Sequence, residues 1–235
     1  MAAQRIWFLA LAALLPHAPL PAQSTRPSDL AAGRFLVASR GLLDPNFAHT
    51  VVLLVRYEPD EVLGLIVNRR SSVPIARAFP DTPDRARGRT DPIYNGGPVE
   101  RAVALALLRS RAAPRGSLHL FADVSMLTAK SLLEKAIAEG AAPGTFHLYS
   151  GYSGWTRDQL RREVELGGWF IFEGDAALVF DPDPESLWLR LIRKTEQRMA
   201  LAGATEPVRC ALLLVPQRLR RIQSPGAARR PKSGQ

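Results

Sequence analysis

The chain has 235 residues, 46% hydrophobic and 23% charged, which fits one globular domain with a tail rather than a disordered, collagenous or multi-domain chain. Its single cysteine, Cys210, excludes an internal disulfide framework. The net charge of +9 would suit a nucleic-acid partner, but six basic residues and no acid fall within 216–235; with these and Arg5 set aside, residues 24–215 keep 24 basic against 22 acidic residues.

Met1–Arg5 carries one positive charge, and Ile6–Leu15 is ten residues without a polar side chain. Pro16, Pro19 and Pro21 then stop any helix, and Ala22-Gln23-Ser24 supplies small or polar residues. This is the order of a secretory signal peptide, expected over residues 1–23 with cleavage near 22–24. The apolar run is too short to span the roughly 30 Å hydrocarbon core of a bilayer. No later stretch is long enough, so no transmembrane span is expected. The location implied is periplasmic or secreted, and cytoplasmic only if the leader is not processed.

Residues 24–32 read as a linker. Arg34–Ser39 is a short apolar strand, and Asp44-Pro45-Asn46 is a turn. Thr50–Tyr57 and Val62–Asn68 are Val- and Leu-rich strands joined by the polar turn Glu58–Glu61, which predicts a hairpin. Gly64, inside the second strand, marks a bulge or a close backbone approach. Residues 80–92 are a loop with Arg85, Arg87 and Arg89, and Tyr94–Pro98 is a tight turn. Val103–Leu108 is a buried strand or a short helix. Ser117–Phe121 is a strand, and Thr128–Glu139 is a helix closed by Gly140.

Thr145–Ser150 returns to strand and leads into the loop Gly151-Tyr152-Ser153-Gly154-Trp155. Thr156 with Gln159 three residues later is a capping-box pattern, opening a helix through Leu166. Trp169–Phe172 and Ala176–Phe180 read as strands. Asp183-Pro184 starts a helix running to Met199. Cys210–Val215 carries the pattern of an added strand. Early hairpins followed by alternating strands and helices predict an α+β (α/β-like) class, a mixed, largely antiparallel sheet or barrel with flanking helices.

Four stretches stand together in order: Gly33–Ala38 through Leu43–Phe47, Gly64–Arg69, Asn95–Val99, and Gly151–Trp155 with Gln159, Leu160 and Glu163. In this arrangement the chain resembles the bacterial YqgE/AlgH family. The resemblance covers about residues 33–194 and places a domain at 33–203, followed by a C-terminal extension over 204–235 with a basic, disordered tail. It implies a compact mixed α/β fold with these loops gathered together. It implies no established activity; one member is named for an effect on alginate gene regulation. The leader and the C-terminal extension depart from the family pattern, as does Leu108-Arg109, where members often carry Leu-His.

Candidate chemistry is sparse. Gly151-Tyr152-Ser153-Gly154 lies between strand and helix, but a nucleophile elbow needs its second glycine two places after the serine, not one. His49, His119 and His147 have no paired-ligand spacing, so neither a metal nor a cofactor is expected. Glycines and free N–H groups at a helix start suit an anion, and Gly permits positive φ in the 95–97 turn. The tentative ligand-binding set is therefore Asn68, Arg69, Asn95, Gly96, Gly97, Gly151, Ser153, Gly154, Trp155 and Thr156. These line an expected cleft between the 41–47, 95–99 and 151–157 loops, and the partner is a small anion or a protein.

The leading reading is a non-catalytic ligand- or partner-binding domain exported from the cytoplasm. One alternative is a hydrolase of a phosphorylated or acyl substrate using Ser153 or His147. Another is a transcription-related regulator. Residues 216–235 would add weak, non-specific contact with nucleic acid or an anionic surface. The leader reading predicts an amino terminus near residues 22–24 by intact mass of the exported protein. A mature chain that still carries Met1–Leu15 would overturn it.

Overall fold

The structure, a computed structural model, describes residues 23–79 and 89–205, with side chains to residue 201. The expected leader, the basic part of the 80–92 loop up to residue 88, the expected Cys210–Val215 strand and the basic tail lie outside the described residues.

Eleven strands carry the fold: β1 Gln23–Ser24, β2 Phe35–Ala38, β3 Val51–Tyr57, β4 Val62–Ile66, β5 Arg70–Pro74, β6 Pro92–Asn95, β7 Val99–Arg109, β8 Leu118–Phe121, β9 Val124–Leu127, β10 Phe146–Trp155 and β11 Trp169–Phe172. Among the described residues five α-helices join them: α1 Ile75–Ala78, α2 Lys130–Ala138, α3 Arg157–Glu165, α4 Ala176–Val179 and α5 Pro184–Thr205. The main path of pairing runs β1-β11-β2-β3-β4-β10-β7-β9-β8, with β5 and β6 branching off β10. Every pairing is antiparallel except β6 with β10. The two ends of the path do not pair, so the architecture is an open, mostly antiparallel sheet flanked by helices and not a closed barrel.

The predicted β3–β4 hairpin is present, with Leu53 opposite Leu65. Its register shifts between Leu54 and Arg56. A Cβ on Gly64 would lie 2.5 Å from Val52 Cγ1 and 3.2 Å from Trp155 Cζ3, so the glycine marks a close approach. In α5, Leu187, Trp188, Leu191 and Ile192 recur at helical spacing and are buried against the sheet. Trp188 Nε1 also donates to Ala38 O of β2 at 2.8 Å. Four such side chains contribute about 2 kcal/mol each, far more than the ~1 kcal/mol of a helix cap. Packing therefore fixes α5. Phe47 stacks on Trp155 at 5.0 Å and meets Trp169 edge-on at 5.6 Å, closing the larger core under β2, β3 and β4. A second cluster under α2 is built on Phe146, Leu127, Leu133 and Ile137.

Three expectations are corrected and one is narrowed. Gly151–Trp155 is not a loop: β10 continues through it, with Ser153 opposite Gly64 and Trp155 opposite Val62. Ladder pairing on both sides overrides the weak strand preference of glycine. Ala176–Phe180 is not a strand. Asp175 Oδ1 accepts from Ala177 N at 2.8 Å, and this cap turns the short apolar run into α4. The 24–32 segment is not a free linker: Gln23 and Ser24 pair with Phe172 and Ile171, a 3₁₀ turn spans Pro27–Asp29, and Leu30 is buried. Its backbone groups complete the edge of β11. Val103–Leu108, open between strand and helix, is part of the eleven-residue β7. Strands β5, β6 and β9 have no strong hydrophobic alternation to announce them. The half-exposed Arg70–Pro74 and the Pro-led Pro92–Asn95 are strands only because they pair with each other, and β6 also with β10.

The two halves of the sheet meet where β10 crosses between them. Phe146–Ser150 pairs with β7, Ser153–Trp155 pairs with β4, and the register shifts between Ser150 and Tyr152. Gly151 takes φ +69° at that shift. A Cβ on Gly97 would sit 2.2 Å from both the carbonyl carbon and oxygen of Tyr152. The obstacle is backbone and cannot swing away. Gly97→Ala is therefore expected to lower unfolding stability by at least about 3 kcal/mol. Gly140→Ala, at φ +80° with no atom within 4 Å, should lose only about 1–2 kcal/mol from backbone strain. Urea unfolding of the two variants checks this; equal losses would refute the seam's steric origin.

Candidate functional site

The residues singled out from sequence are brought together, but packed face to face. Asn68 Oδ1 accepts from Val51 N at 2.8 Å, and Nδ2 donates to His49 O at 3.0 Å. Arg69 donates to Asn46 O at 2.7 Å and to Ala48 O at 3.0 Å. Both side chains thus hold the 44–49 turn. Asn95 N donates to Arg69 O, and Gly96 N to Ser150 O. Ser153 is fully buried and its Oγ donates to Gly96 O at 3.3 Å. Gly154 lies opposite Leu63 in the ladder, and Trp155 is buried on Phe47. The expected cleft is the interlocked seam itself.

Thr156 Oγ1 accepts from Gln159 N at 3.2 Å, so it caps α3 as predicted. Gln159 Nε2 donates to Glu163 Oε1 at 2.9 Å, leaving the second half of the box unmade. Arg157 lies over the Tyr57 ring at 4.8 Å, and Asp158 puts a negative charge in the first turn. The geometry gives no support to anion capture at this helix start. Nor does a hydrogen bond join Ser153 to His147, since each faces a different partner.

The other group named for hydrolysis, His147, lies elsewhere on β10, in a cavity of about 260 Å³. The parallel register of β6 and β10 sets Tyr94 opposite Tyr149, and the Tyr94 ring stacks on His147 at 4.4 Å and 20°. Phe180, just past α4, packs at 5.0 Å from the imidazole. Arg70 from β5, Asp91 and Asp181 complete the polar part of the wall. Pro92, Pro143 and Pro182 supply rigid apolar surface.

Arg70 Nε donates to Tyr94 Oη at 3.3 Å, and Tyr94 Oη lies 3.5 Å from His147 Nε2 across the stacked rings. Burial pushes the Tyr94 hydroxyl up, so it keeps its proton. Its oxygen has two lone pairs, so it can accept from Arg70 and still either donate to or accept from Nε2. Nδ1 is buried from solvent. Burial, reinforced by the Arg70 charge, lowers the ring pKa to about 4; the carbonyls of Pro143 and Val179 and the Asp91 carboxylate act the other way but do not prevail. The ring is neutral at physiological pH and a weak base.

Larger openings of about 640, 570, 540 and 380 Å³ are lined by no histidine. The first borders Gln23–Arg26 and Met199, near the ends of the described chain. That of about 540 Å³ is an apolar groove along Arg101–Ala104 of β7. Among the described residues no three or more His, Cys, Asp or Glu side chains gather as a metal site requires, and no helix is long and apolar enough to cross a membrane.

The profile of the AlgH-like family matches residues 35–200. The chain belongs to the AlgH-like family. The AlgH protein of Pseudomonas aeruginosa is 33% identical over 183 residues, covering 76% of this chain and 90% of that one. An uncharacterised relative from Streptomyces coelicolor is 32% identical over 181 residues, covering 74% and 91%. The solution structure of the P. aeruginosa AlgH protein superposes with a TM-score of 0.54 at 31% identity, covering 83% of this chain and 94% of that one. A crystal structure from Corynebacterium diphtheriae, 19% identical, has a TM-score of 0.57 over 77% of this chain and 90% of that one, and shares the fold.

In this AlgH-like chain, sequence reasoning passed over Arg70 and Phe180. Neither sits in a glycine-rich motif; the β5–β6–β10 pairing brings Arg70 toward His147, and the end of α4 delivers Phe180. The buried imidazole has a thermodynamic signature. Its pKa is about 4 in the fold against roughly 6.5 unfolded. Between these values the unfolded chain binds a proton that the folded chain refuses. Stability should therefore fall as pH drops from about 6.5 to about 4, by on the order of 3 kcal/mol from this group. His147→Phe should remove that component. Urea midpoints of both proteins from pH 7 to pH 4.5 test it, and a wild-type-minus-variant difference that does not change with pH refutes neutral burial.

Proposed function

We propose that this AlgH-like chain is a non-catalytic ligand-binding domain that works outside the cytoplasm and takes a small molecule into the His147 pocket. The observation that carries the reading is the cavity of about 260 Å³ walled by Tyr94, His147, Phe180 and three prolines, with Arg70, Asp91 and Asp181 as its polar groups. Aromatic and proline surface with a few convergent polar groups is the usual make-up of a small-ligand site. A pKa near 4 makes His147 a poor general base at neutral pH, and buried Ser153 offers no nucleophile beside it. Export rests on the order of charge, apolar run and small residues in 1–23.

The test pairs binding with turnover. A fragment library screened by protein-observed NMR should shift His147 and Tyr94 resonances, and the shifts should vanish in His147→Phe. Aryl ester and aryl phosphate substrates should be turned over no faster by the wild type than by Ser153→Ala or His147→Phe. Hydrolysis lost in either variant would replace the binding reading with an enzymatic one.

A further inference from the structure

We infer that the groove along residues 101–104 of β7 binds a medium-chain fatty acid, with the alkyl chain on the groove floor and the carboxylate at Arg101 and Lys130. The groove lies on the other face of β10 from the His147 pocket. Side chains alternate along the strand, and Leu148 lines the groove while His147 lines the pocket. Neither site depends on the other.

The groove exists because β7 outruns its neighbours. Strand β9 ends at Leu127, opposite Ala106, while β7 reaches back to Val99. On the other side, Ser150 of β10 pairs with Ala104 and Tyr152 pairs with Val99, so residues 100–103 face the single residue Gly151. Glu100 takes a positive φ in this bulge, and Ser150 Oγ donates to Arg101 O. Bulges re-aim side chains beside binding sites. Here Arg101 lines the groove, and Val103 stands exposed in its wall.

The floor suits hydrocarbon. Ile93, Leu133 and Leu148, with Phe79 beside them, line a space of about 540 Å³, a volume usual for a small-ligand site. Aliphatic side chains outnumber aromatic ones along it, so a plain alkyl chain gains by area burial alone.

The charge suits an anion. Arg101 and Lys130 are the charged residues of the wall, and no Asp or Glu lines it. Arg101 takes part in no ion pair among the described residues. The carboxylate of its neighbour Glu100 acts on the Tyr152 hydroxyl instead. Lys130 reaches Glu134 at 3.5 Å, but that pair is exposed to solvent and screened. Helix α2 opens at Lys130 with neither a side-chain cap nor an acid in its first turn, which adds positive potential at the same wall. An anion with an apolar body satisfies both parts of the groove. A cation with the same body would meet two like charges.

Decanoate, decanol and decylammonium share one chain and differ in charge. Each is titrated into the full chain at pH 7, below its micellar concentration, with backbone amides followed by NMR. Decanoate should shift the amides of Ala104, Thr128 and Lys130 and bind at least about tenfold more tightly than decanol or decylammonium. Octanoate, two methylenes shorter, should bind about tenfold more weakly than decanoate. Arg101→Gln combined with Lys130→Gln, both at exposed positions, should abolish the preference for decanoate over decanol without moving the urea midpoint. Val103→Asp, a second variant at an exposed position, should weaken decanoate at least about tenfold. Decanol binding the wild type as tightly as decanoate, or a preference unaltered in the double variant, overturns the carboxylate assignment. Shifts confined to His147 and Tyr94 overturn the groove as the site, as does the absence of any shift. Groove amides that move with protein concentration alone would make a second copy of the chain the occupant, and that result also overturns the proposal.

Discussion

Strand β10 leaves one half of the sheet and enters the other within three residues, and it does so pressed against the backbone of Gly96 and Gly97. At Gly151 the chain takes a positive φ, the register shifts, and the partners change from β7 and β6 to β4. Side chains at these glycines would collide with carbonyl groups at 2.2–2.9 Å. The approach satisfies the backbone on both sides: Gly96 N reaches Ser150 O, and Ile66 N reaches Gly96 O. A seam made of main chain has no rotamers to relax. It holds the two hydrophobic clusters in a fixed relation, and both the Trp155 end and the His147 end of β10 inherit their positions from it.

The pocket follows from that inheritance. Because Gly96 and Gly97 lock β6 beside β10, the parallel register sets Tyr94 beside His147, two residues from its partner Tyr149. Side chains alternate along a strand, so His147 and Tyr149 share a face, and both rings contact Tyr94. Arg70 arrives through β5, which pairs with β6. The imidazole is thereby removed from water and held neutral between Tyr94 and Phe180. Ionisable groups shifted by burial in this way are commonly found where a protein meets its ligand.

Much of the fold was legible because hydrophobic pattern and turn chemistry agree along it. The β3–β4 hairpin, helix α2, the Thr156 cap and the Asp183-Pro184 helix start all carry local signals that the tertiary structure does not oppose. The four ordered motifs were enough to point to the family that the profile and the P. aeruginosa AlgH structure establish. Their meaning was less legible. Asn68, Arg69, Gly96, Gly97, Ser153 and Trp155 look like an exposed functional loop set because glycine, serine and asparagine are typical of binding loops. The same residue types serve where two backbones must touch. Sequence alone does not distinguish a glycine that admits a ligand from one that admits another strand.

Local chemistry along the chain determined the amphipathic helices, the caps and the alternation of strand and turn, since each depends on neighbours within a few positions. It also determined the basic composition of residues 216–235 and the leader pattern. Long-range pairing decided the rest. The Gly151–Trp155 stretch became strand because β4 and β7 lie on either side of it, and Ala176–Val179 became helix because Asp175 was placed to cap it. The candidate site is the clearest case. Arg70, Tyr94, His147 and Phe180 are separated by up to 110 positions in the sequence, and none carries a motif. Burial and register, which exist only in the folded chain, turned an ordinary histidine into a neutral imidazole on a pocket wall.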